Sequence, residues 1–282
     1  MPPVALVLLA AASVQFGAGL AKTVFDEAGP GGTVFLRVLF ATVVLMAVWR
    51  PRLKGWAGRD LLLAALFGLT LAGMNLAFYE ALDRIPLGIA VTFEFVGPLG
   101  VAVASSRRAL DVLWVVLAAA GILLLSDFGD FGSLDVPGVG LALLAGCFWA
   151  GYIVLSAHTG QAFPGGAGLA LAMAAASLVL LPVGIADAGG ALLEPGVLGL
   201  GAAVAMLSSA IPYSLELEAL RKLPAGVFGV LMSLDPAVAA LAGYVVLGEI
   251  LGGRELAAIG LVVAASAGAA RSAPPAAGPV DA

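Results

Sequence analysis

The stretch IPLGIAVTFEFVGPLGVAV, residues 85–103, carries a single charged side chain, Glu94, in an otherwise apolar run. As a helix, a segment of this kind crosses the hydrocarbon layer of a membrane, which takes about 20 residues. Similar runs recur along the chain, which is 62% hydrophobic and only 11% charged. A water-soluble core cannot hide so much apolar surface. The sequence therefore predicts an all-α membrane protein with lipid as its main solvent.

Charged residues, prolines and glycine clusters divide the chain into ten apolar runs, and each run is interpreted as one transmembrane helix. The runs are continuous rather than alternating, which argues against a membrane β-barrel. The first run lacks a preceding basic segment and contains Lys22, so it is predicted to span the membrane rather than to be a cleaved signal peptide. The predicted spans are 4–25, 33–49, 60–80, 87–104, 110–126, 139–157, 167–186, 197–218, 225–247 and 255–270.

The distribution of basic residues predicts how the spans are oriented. Most lysines and arginines fall in loops on the side of the two termini, whereas the opposite loops are mainly acidic. One loop on the basic side, residues 158–166, has no lysine or arginine. Cytoplasmic loops are enriched in basic residues, so both termini are predicted to be cytoplasmic, in a multi-pass protein of the inner (plasma) membrane. The basic residues that carry this argument are Arg50, Arg52, Lys54, Arg59, Arg107, Arg108, Arg221, Lys222 and Arg271.

The second half of the chain repeats features of the first. The tripeptide EAL occurs at 80–82 and 218–220, and Pro86, Gly88 and Pro98 also recur 138 positions later. Each half has five predicted helices, and an odd number places the start of the second half on the opposite side of the membrane. We expect two inverted five-helix repeats, 1–126 and 139–271, a periplasmic linker at 127–138 and a disordered cytoplasmic tail at 272–282.

Polar and ionisable groups inside the spans are the candidates for function, because a charge at the centre of a membrane helix costs roughly 2.5 to 3.5 kcal/mol on insertion scales. Glu94 and Asp235 lie near the predicted midplane, in helices related by the repeat, and a proline follows each. The alternative is a structural role, in which Asp235 braces its kink and Glu94 pairs with a buried cation. The predicted substrate-binding residues are Gln15, Arg37, Asn75, Tyr79, Glu94, Tyr213, Glu216 and Asp235.

Two cations near the outer ends of the first two spans have different expected roles. Lys22 is expected to reach the outer surface and pair with Asp26 or Glu27. Arg37 lies deeper, where its guanidinium either reaches the same surface or grips a substrate carboxylate with two hydrogen bonds.

Several classes of function lack their residues in this sequence. A single cysteine, Cys147, and a single histidine, His158, form neither a disulfide nor a zinc site. No phosphate-binding loop, zinc-protease motif or serine-hydrolase elbow is present. The net charge of −5 gives no reason to expect nucleic acid as a partner. We therefore expect no enzymatic activity, no metal and no cofactor, and any transport must be driven by a gradient.

Five segments resemble the EamA family of the drug/metabolite transporter superfamily, and more narrowly its threonine and homoserine exporter branch. The resemblance covers nearly the whole chain, with each half similar to one EamA domain. It implies a ten-helix inner-membrane exporter with a central cavity, coupled to proton entry, and it selects Asn75, Glu94, Tyr213, Glu216 and Asp235. The segments are GMN (73–75) leading to Tyr79, residues 85–108, LSSAIPYSLELEAL (207–220), FGVLMSLDPAVAALAG (228–243) and LGE (247–249).

These observations predict export of small neutral amino acids by alternating access, as antiport with protons. Glu94 is expected to hold the substrate ammonium group, and Arg37, Asn75 or backbone N–H groups its carboxylate. Glu94 and Glu216 are the candidates for proton coupling. One alternative is efflux of aromatic or drug-like metabolites, and another is a non-transporting membrane scaffold or a membrane-embedded enzyme. The sequence sets no oligomeric state.

Overall fold

A computed structural model describes residues 2–52, 55–104, 113–114, 116–118, 120–121, 124, 135–220, 231–232 and 234–272. These residues form helices joined by short connections, with no strand among them. The helices are α1 (Pro3–Lys22), α2 (Phe25–Trp49), α3 (Gly58–Arg84), α4 (Leu87–Glu94), α5 (Val96–Ala104), α6 (Val136–Ala162), α7 (Ala167–Ala188), α8 (Pro195–Ala205), α9 (Ile211–Leu220), α10 (Asp235–Ala242) and α11 (Gly253–Ser272).

Five helical segments are long and apolar enough to cross a membrane. Shorter apolar helical stretches cover Leu87–Val101, Pro195–Ala210 and Asp235–Leu247. The chain is therefore a multi-pass helical membrane protein, as predicted. Most of the predicted span 110–126, the start of the span 225–247 and the tail after Ser272 lie outside the described residues. The five long segments are Pro3–Lys22, Phe25–Trp49, Gly58–Arg84, Val136–Ala162 and Ala167–Leu193.

The second helix begins earlier than the predicted span 33–49 because it continues through a kink. Gly29 takes a left-handed conformation with φ of 65°, immediately before Pro30. The Asp187 carboxylate at the end of α7 accepts the backbone N–H of Gly31 at 2.7 Å and that of Gly32 at 3.4 Å. A carboxylate from another helix therefore caps the segment that resumes after the kink, and it joins α2 to α7.

The predicted span 87–104 is two helices rather than one. α4 ends at Glu94 and α5 starts at Val96, so the interruption falls at Phe95. Pro98 lacks an N–H group and cannot bond the carbonyl of Glu94, the residue four positions earlier, which accounts for a break one turn before the proline. The glutamate thus occupies the end of a helix instead of its middle.

Two further spans contain π-helical segments, in which hydrogen bonds skip one extra residue. The first, Met206–Ala210, lies between α8 and α9, and the second, Gly243–Leu247, follows α10. The predicted span 197–218 is therefore irregular at its centre. Such segments leave backbone groups outside the regular helical pattern, often at functional sites.

Glycine permits close backbone contacts around the interruption at Phe95. A Cβ atom at Gly97 would collide with the backbone of Gly146 in α6, and one at Gly146 would lie 2.6 Å from the Glu94 carbonyl oxygen. A Cβ atom at Gly88 would lie 2.9 Å from the Cα of Ala240 in α10. Small residues allow membrane helices to approach in this way. The helix pair α4 and α5 is thereby held between α6 and α10.

The Gly97 contact generates a stability test with a control in the same helix. Gly97→Ala should destabilise the protein by roughly 1 to 3 kcal/mol, because the added methyl group overpacks the crossing with α6. Gly100→Ala should be neutral or slightly stabilising, because an added Cβ there would meet no atom from another part of the described residues within 4 Å, and alanine favours helix. Thermal midpoints of the two variants in detergent give the comparison. Equal midpoints would show that the crossing is not tight.

Candidate functional site

Most of the polar side chains predicted from the sequence are buried within the helical bundle. Six of the eight predicted residues expose less than a tenth of their surface. Glu216 is partly exposed, and the side chain of Tyr213 lies outside the described part of the structure. The six buried residues are Gln15, Arg37, Asn75, Tyr79, Glu94 and Asp235.

Arg37 of α2 holds the irregular backbone of the first π-helical segment. Its Nη2 donates to the Ser208 carbonyl oxygen at 2.9 Å, and its Nε donates to the Ser209 hydroxyl at 3.2 Å. Its Nη1 donates to the Tyr79 hydroxyl at 3.3 Å, and the guanidinium carbon lies 5.5 Å from the centre of that ring. These three donors are engaged by protein groups, so this geometry does not present them for the two-bond grip on a substrate carboxylate that the sequence allowed.

A hydroxyl from α1 satisfies a second carbonyl of the same segment. Ser13 Oγ donates to the Leu207 carbonyl oxygen at 2.6 Å. Four residues further along α1, about one helical turn, Gly17 lets the Ser208 side chain and the Leu207 Cβ approach the α1 backbone closely. Two helices therefore contact the segment directly, α1 through Ser13 and Gly17 and α2 through Arg37. Tyr79 of α3 bonds Arg37 from the other side. Ser13, Ser208 and Ser209 were missed as contributors, and the pair of serines before Pro212 was their signal in the sequence.

Three carboxylates form a connected electrostatic group. Glu94 is close enough to Arg37 and to Asp235 to interact with both charges, and Asp235 in turn interacts with Glu216. Glu94 is the last residue of α4, and Asp235 is the first of α10. The structure thus brings one cation and three acidic side chains, from α2, α4, α9 and α10, within range of electrostatic interaction.

An ion pair at one end of the bundle serves as a reference for the depth of these residues within it. Lys22 Nζ lies 2.9 Å from Glu249 Oε1, whose second oxygen accepts the Leu87 backbone N–H at 2.9 Å. Gln15 precedes Lys22 by seven residues, and Glu94 follows Leu87 by seven. Seven residues are about two helical turns, or roughly 10 Å, and return to the same helix face. Gln15 and Glu94 therefore lie at similar depth below this pair.

Asp235 lies at about the same depth as Glu94, although its helix runs in the opposite direction. Gly88 of α4 crosses Ala240 of α10 near the Lys22 end of the bundle. Glu94 lies six residues beyond Gly88, and Asp235 lies five residues before Ala240. The two helices run in opposite directions from their crossing, so both carboxylates lie about 8 to 9 Å below it.

Two acceptor atoms at this level lack partners. Gln15 Oε1 and Asp235 Oδ1 are buried, and neither has a hydrogen-bond partner in the part of the chain that the structure describes. Leaving a buried polar atom unpaired costs roughly 1 to 3 kcal/mol, so such atoms in a native protein call for water, an ion or a ligand. Together with Glu94, they place oxygen acceptors on α1, α4 and α10.

The two remaining predictions have different outcomes. Asn75 Nδ2 donates to the Leu71 carbonyl oxygen of its own helix at 2.7 Å, and this amide nitrogen carries a second N–H group. The expected pairing of Lys22 with Asp26 or Glu27 is wrong, because Lys22 pairs with Glu249 from the other half of the chain. Both nearby acidic residues are exposed at the start of α2, where they favour the positive end of the helix. Glu249 belongs to the sequence motif LGE (247–249), which does not indicate its partner.

Across the described ranges, no group of three histidine, cysteine, aspartate or glutamate side chains has an arrangement that could hold a metal ion. The site consists of buried acceptors, one guanidinium and irregular backbone, in a protein built of membrane helices. This combination defines a membrane protein with a polar central site.

Comparison with known proteins places the chain in a family. Residues 136–271 match the EamA-like transporter family. The threonine/homoserine exporter RhtA of Escherichia coli (strain K12) is 45% identical over 94% of this chain and 90% of its own length. The chain therefore belongs to the EamA-like transporter family, and it is a transporter rather than an enzyme. The family match covers the second half, so the expected first domain at 1–126 stays a prediction.

Other relatives agree with this assignment. The RhtA protein of Salmonella typhimurium (strain LT2) is 44% identical over the same share of each chain. The uncharacterised transporter YwfM of Bacillus subtilis (strain 168) is 27% identical over 83% of both chains. A solved crystal structure of another protein superposes with a TM-score of 0.64 at 19% identity, covering 94% of this chain and 97% of that one. That last likeness concerns the fold alone.

The role of Arg37 yields a test of the site's architecture. Arg37→Lys keeps the positive charge but loses the planar set of donors that joins Tyr79, Ser208 and Ser209, so we expect a loss of roughly 1 to 3 kcal/mol in stability. Arg59→Lys is the control, because the Arg59 side chain is 93% exposed. Thermal unfolding in detergent measures both. If Arg37→Lys is as stable as the control, the guanidinium contacts do not stabilise the fold.

Proposed function

We propose that the protein exports small neutral amino acids such as threonine or homoserine across the inner membrane. The observation that carries this proposal is the 45% identity, over 94% of the chain, to a protein named as a threonine/homoserine exporter. The site supports it, because it combines acceptors for a cation with a nearby positive charge, that of Arg37. An amino acid is a zwitterion and presents one group of each kind.

The ammonium group of the substrate would bind between α1, α4 and α10. It has three N–H donors, and Gln15 Oε1, Asp235 Oδ1 and the Glu94 carboxylate offer acceptors at one level of the bundle. Hydrogen bonds from an ammonium group to carboxylates are charge-assisted and stronger than neutral ones. The bound cation would also offset the repulsion between the Glu94 and Asp235 carboxylates.

The carboxylate of the substrate would lie on the Arg37 side of the site. Arg37 supplies a positive potential there while its hydrogen bonds fix the π-helical segment beside it. Asn75, Tyr213 and backbone N–H groups of the interrupted helices are the proposed direct donors. Tyr79 would act through Arg37, since its hydroxyl accepts a hydrogen bond from that guanidinium.

Proton coupling would follow from competition at the same carboxylates. Glu94 and Glu216 are the proposed proton carriers, and both are linked electrostatically through Asp235. Ammonium binding favours the ionised form of a carboxylate, whereas departure of the substrate favours protonation. Protons entering the cell would thus replace each exported amino acid, which is antiport by alternating access.

For the whole chain, we propose ten transmembrane helices in two inverted repeats, with both termini cytoplasmic. Five long segments and the shorter apolar stretches support the helix count. The carboxylates of α4 and α10 support the repeat, because Glu94 and Asp235 lie at similar depth and Pro98 and Pro236 are 138 residues apart. In this orientation Lys22 and Glu249 lie at the outer, periplasmic end.

Glu94→Gln should abolish coupled export while leaving insertion intact. The variant loses a charged hydrogen bond worth about 1.5 to 3 kcal/mol, so substrate exchange should fall roughly ten- to a hundredfold. Counterflow of labelled threonine in sealed proteoliposomes, with and without an imposed pH gradient, measures the loss.

Glu27→Gln is the matched control, because Glu27 is exposed at the start of α2 and should exchange threonine at the wild-type rate. Undiminished flux in Glu94→Gln would remove this residue from the mechanism. No wild-type flux with threonine, homoserine or competing amino acids would overturn the proposed cargo and favour efflux of aromatic or drug-like metabolites.

A further inference from the structure

The ion pair between Lys22 and Glu249 joins the three elements that carry the proposed ammonium site. Lys22 ends α1, Glu249 follows the second π-helical segment, and Leu87 begins α4. Lys22 Nζ also donates to the Ile85 carbonyl oxygen at 3.3 Å, just before α4. The two side chains thus make three bonded contacts across the Lys22 end of α1, α4 and α10.

The position of Glu249 is set by its backbone. Gly248 takes a left-handed conformation with φ of 68°, and the Glu249 N–H donates to the Gly243 carbonyl oxygen at 3.1 Å. This turn brings the Glu249 carboxylate back over Gly243, where a side chain would collide with it. The carboxylate also caps the first turn of α4, since it accepts the Leu87 N–H.

The pair lies directly over the site. Gln15 and Glu94 are two helical turns below Lys22 and Leu87, on the same helix faces. A path that follows these helix faces from the site to this end of the bundle passes between α1 and the α4–α10 pair. Opening that path separates Lys22 from Glu249.

We propose that Lys22 and Glu249 form the outer gate of the transporter, an ion pair that is made when the site is closed to the periplasm and broken when it opens. The inference rests on the transport function and orientation proposed above. The side chains are 24% and 15% exposed, so the pair is shielded enough to hold the gate and near enough to water to separate. Glu249 links the gate to the site through the capped end of α4.

A second ion pair at the same end provides a contrast. Arg84 and Asp135 lie 3.5 Å apart, with side chains that are 42% and 36% exposed. Exposed pairs of this kind contribute little to stability. Arg84 belongs to α3 and Asp135 caps α6, so this pair does not cross between α1 and α4. Its loss should leave the gate closed.

Access to a cysteine beneath the pair tests the gate without any substrate. The exposed Cys147 is first replaced by alanine, and Ala18→Cys then places a thiol in α1 between Gln15 and Lys22. Membrane-impermeant methanethiosulfonate reagents, cationic and anionic, are added outside sealed proteoliposomes of known orientation. Lys22→Met and Glu249→Ala should each speed labelling about tenfold, and the double variant should be no faster than either single variant.

Arg84→Met is the control, and labelling at its wild-type rate is the expected result. Unchanged labelling in both gate variants, equal acceleration in Arg84→Met, or acceleration only from the cytoplasmic side would overturn the gate. Lys22→Gln and Glu249→Gln replace any variant that fails to elute as a single folded species. The labelling rate and the threonine flux test the two proposals separately. Fast labelling of the gate variants without threonine flux in the wild type refutes the proposed cargo alone. Threonine flux in the wild type with unchanged labelling of the gate variants refutes the gate alone.

Discussion

Backbone N–H and C=O groups inside a membrane have no water to bond, so they must form their hydrogen bonds within the protein. The rest of the structure depends on this constraint. In a regular helix, the backbone N–H and C=O groups bond to one another. This chain departs from regular helix at Phe95, in the π-helical segments and at the Gly29 kink. At several of these places a side chain from another helix takes up the freed groups, as Arg37 does for Ser208 and Asp187 does for Gly31.

The irregular places are also where the chemistry lies. Glu94 sits at the interruption between α4 and α5, Asp235 begins α10, and Arg37 braces the segment between α8 and α9. A continuous helix would direct its polar backbone groups along its own axis. An interrupted helix directs some of them into the bundle, where they add to the few polar side chains that a membrane interior tolerates.

Much of this architecture could be predicted from the sequence. Hydropathy identified the long helices, because a membrane span requires a long apolar run. The cost of buried polar groups selected Gln15, Arg37, Asn75, Glu94 and Asp235, and all five are buried.

The partners of these groups could not be predicted in the same way. Lys22 was assigned to neighbours in sequence, but it pairs with a residue 227 positions away. The π-helical segments were also missed, because their sequences remain apolar and differ from a regular helix only in how tertiary contacts wind them. Hydropathy reports which residues enter the membrane and contains no information on which helices meet there.

The pairing of α2 with α7 and of α3 with α6 has a consequence for biosynthesis. Both pairings join an early helix to a late one, and the serines bonded by Arg37 are also in the second half. The early helices leave the ribosome before these partners are made. During that interval Arg37 sits in the nascent bundle without Ser208 and Ser209, and the N–H groups at the Gly29 kink lack Asp187. The first half is therefore an assembly intermediate that must be shielded from lipid, by the insertion machinery or by water, until translation of the second half is complete.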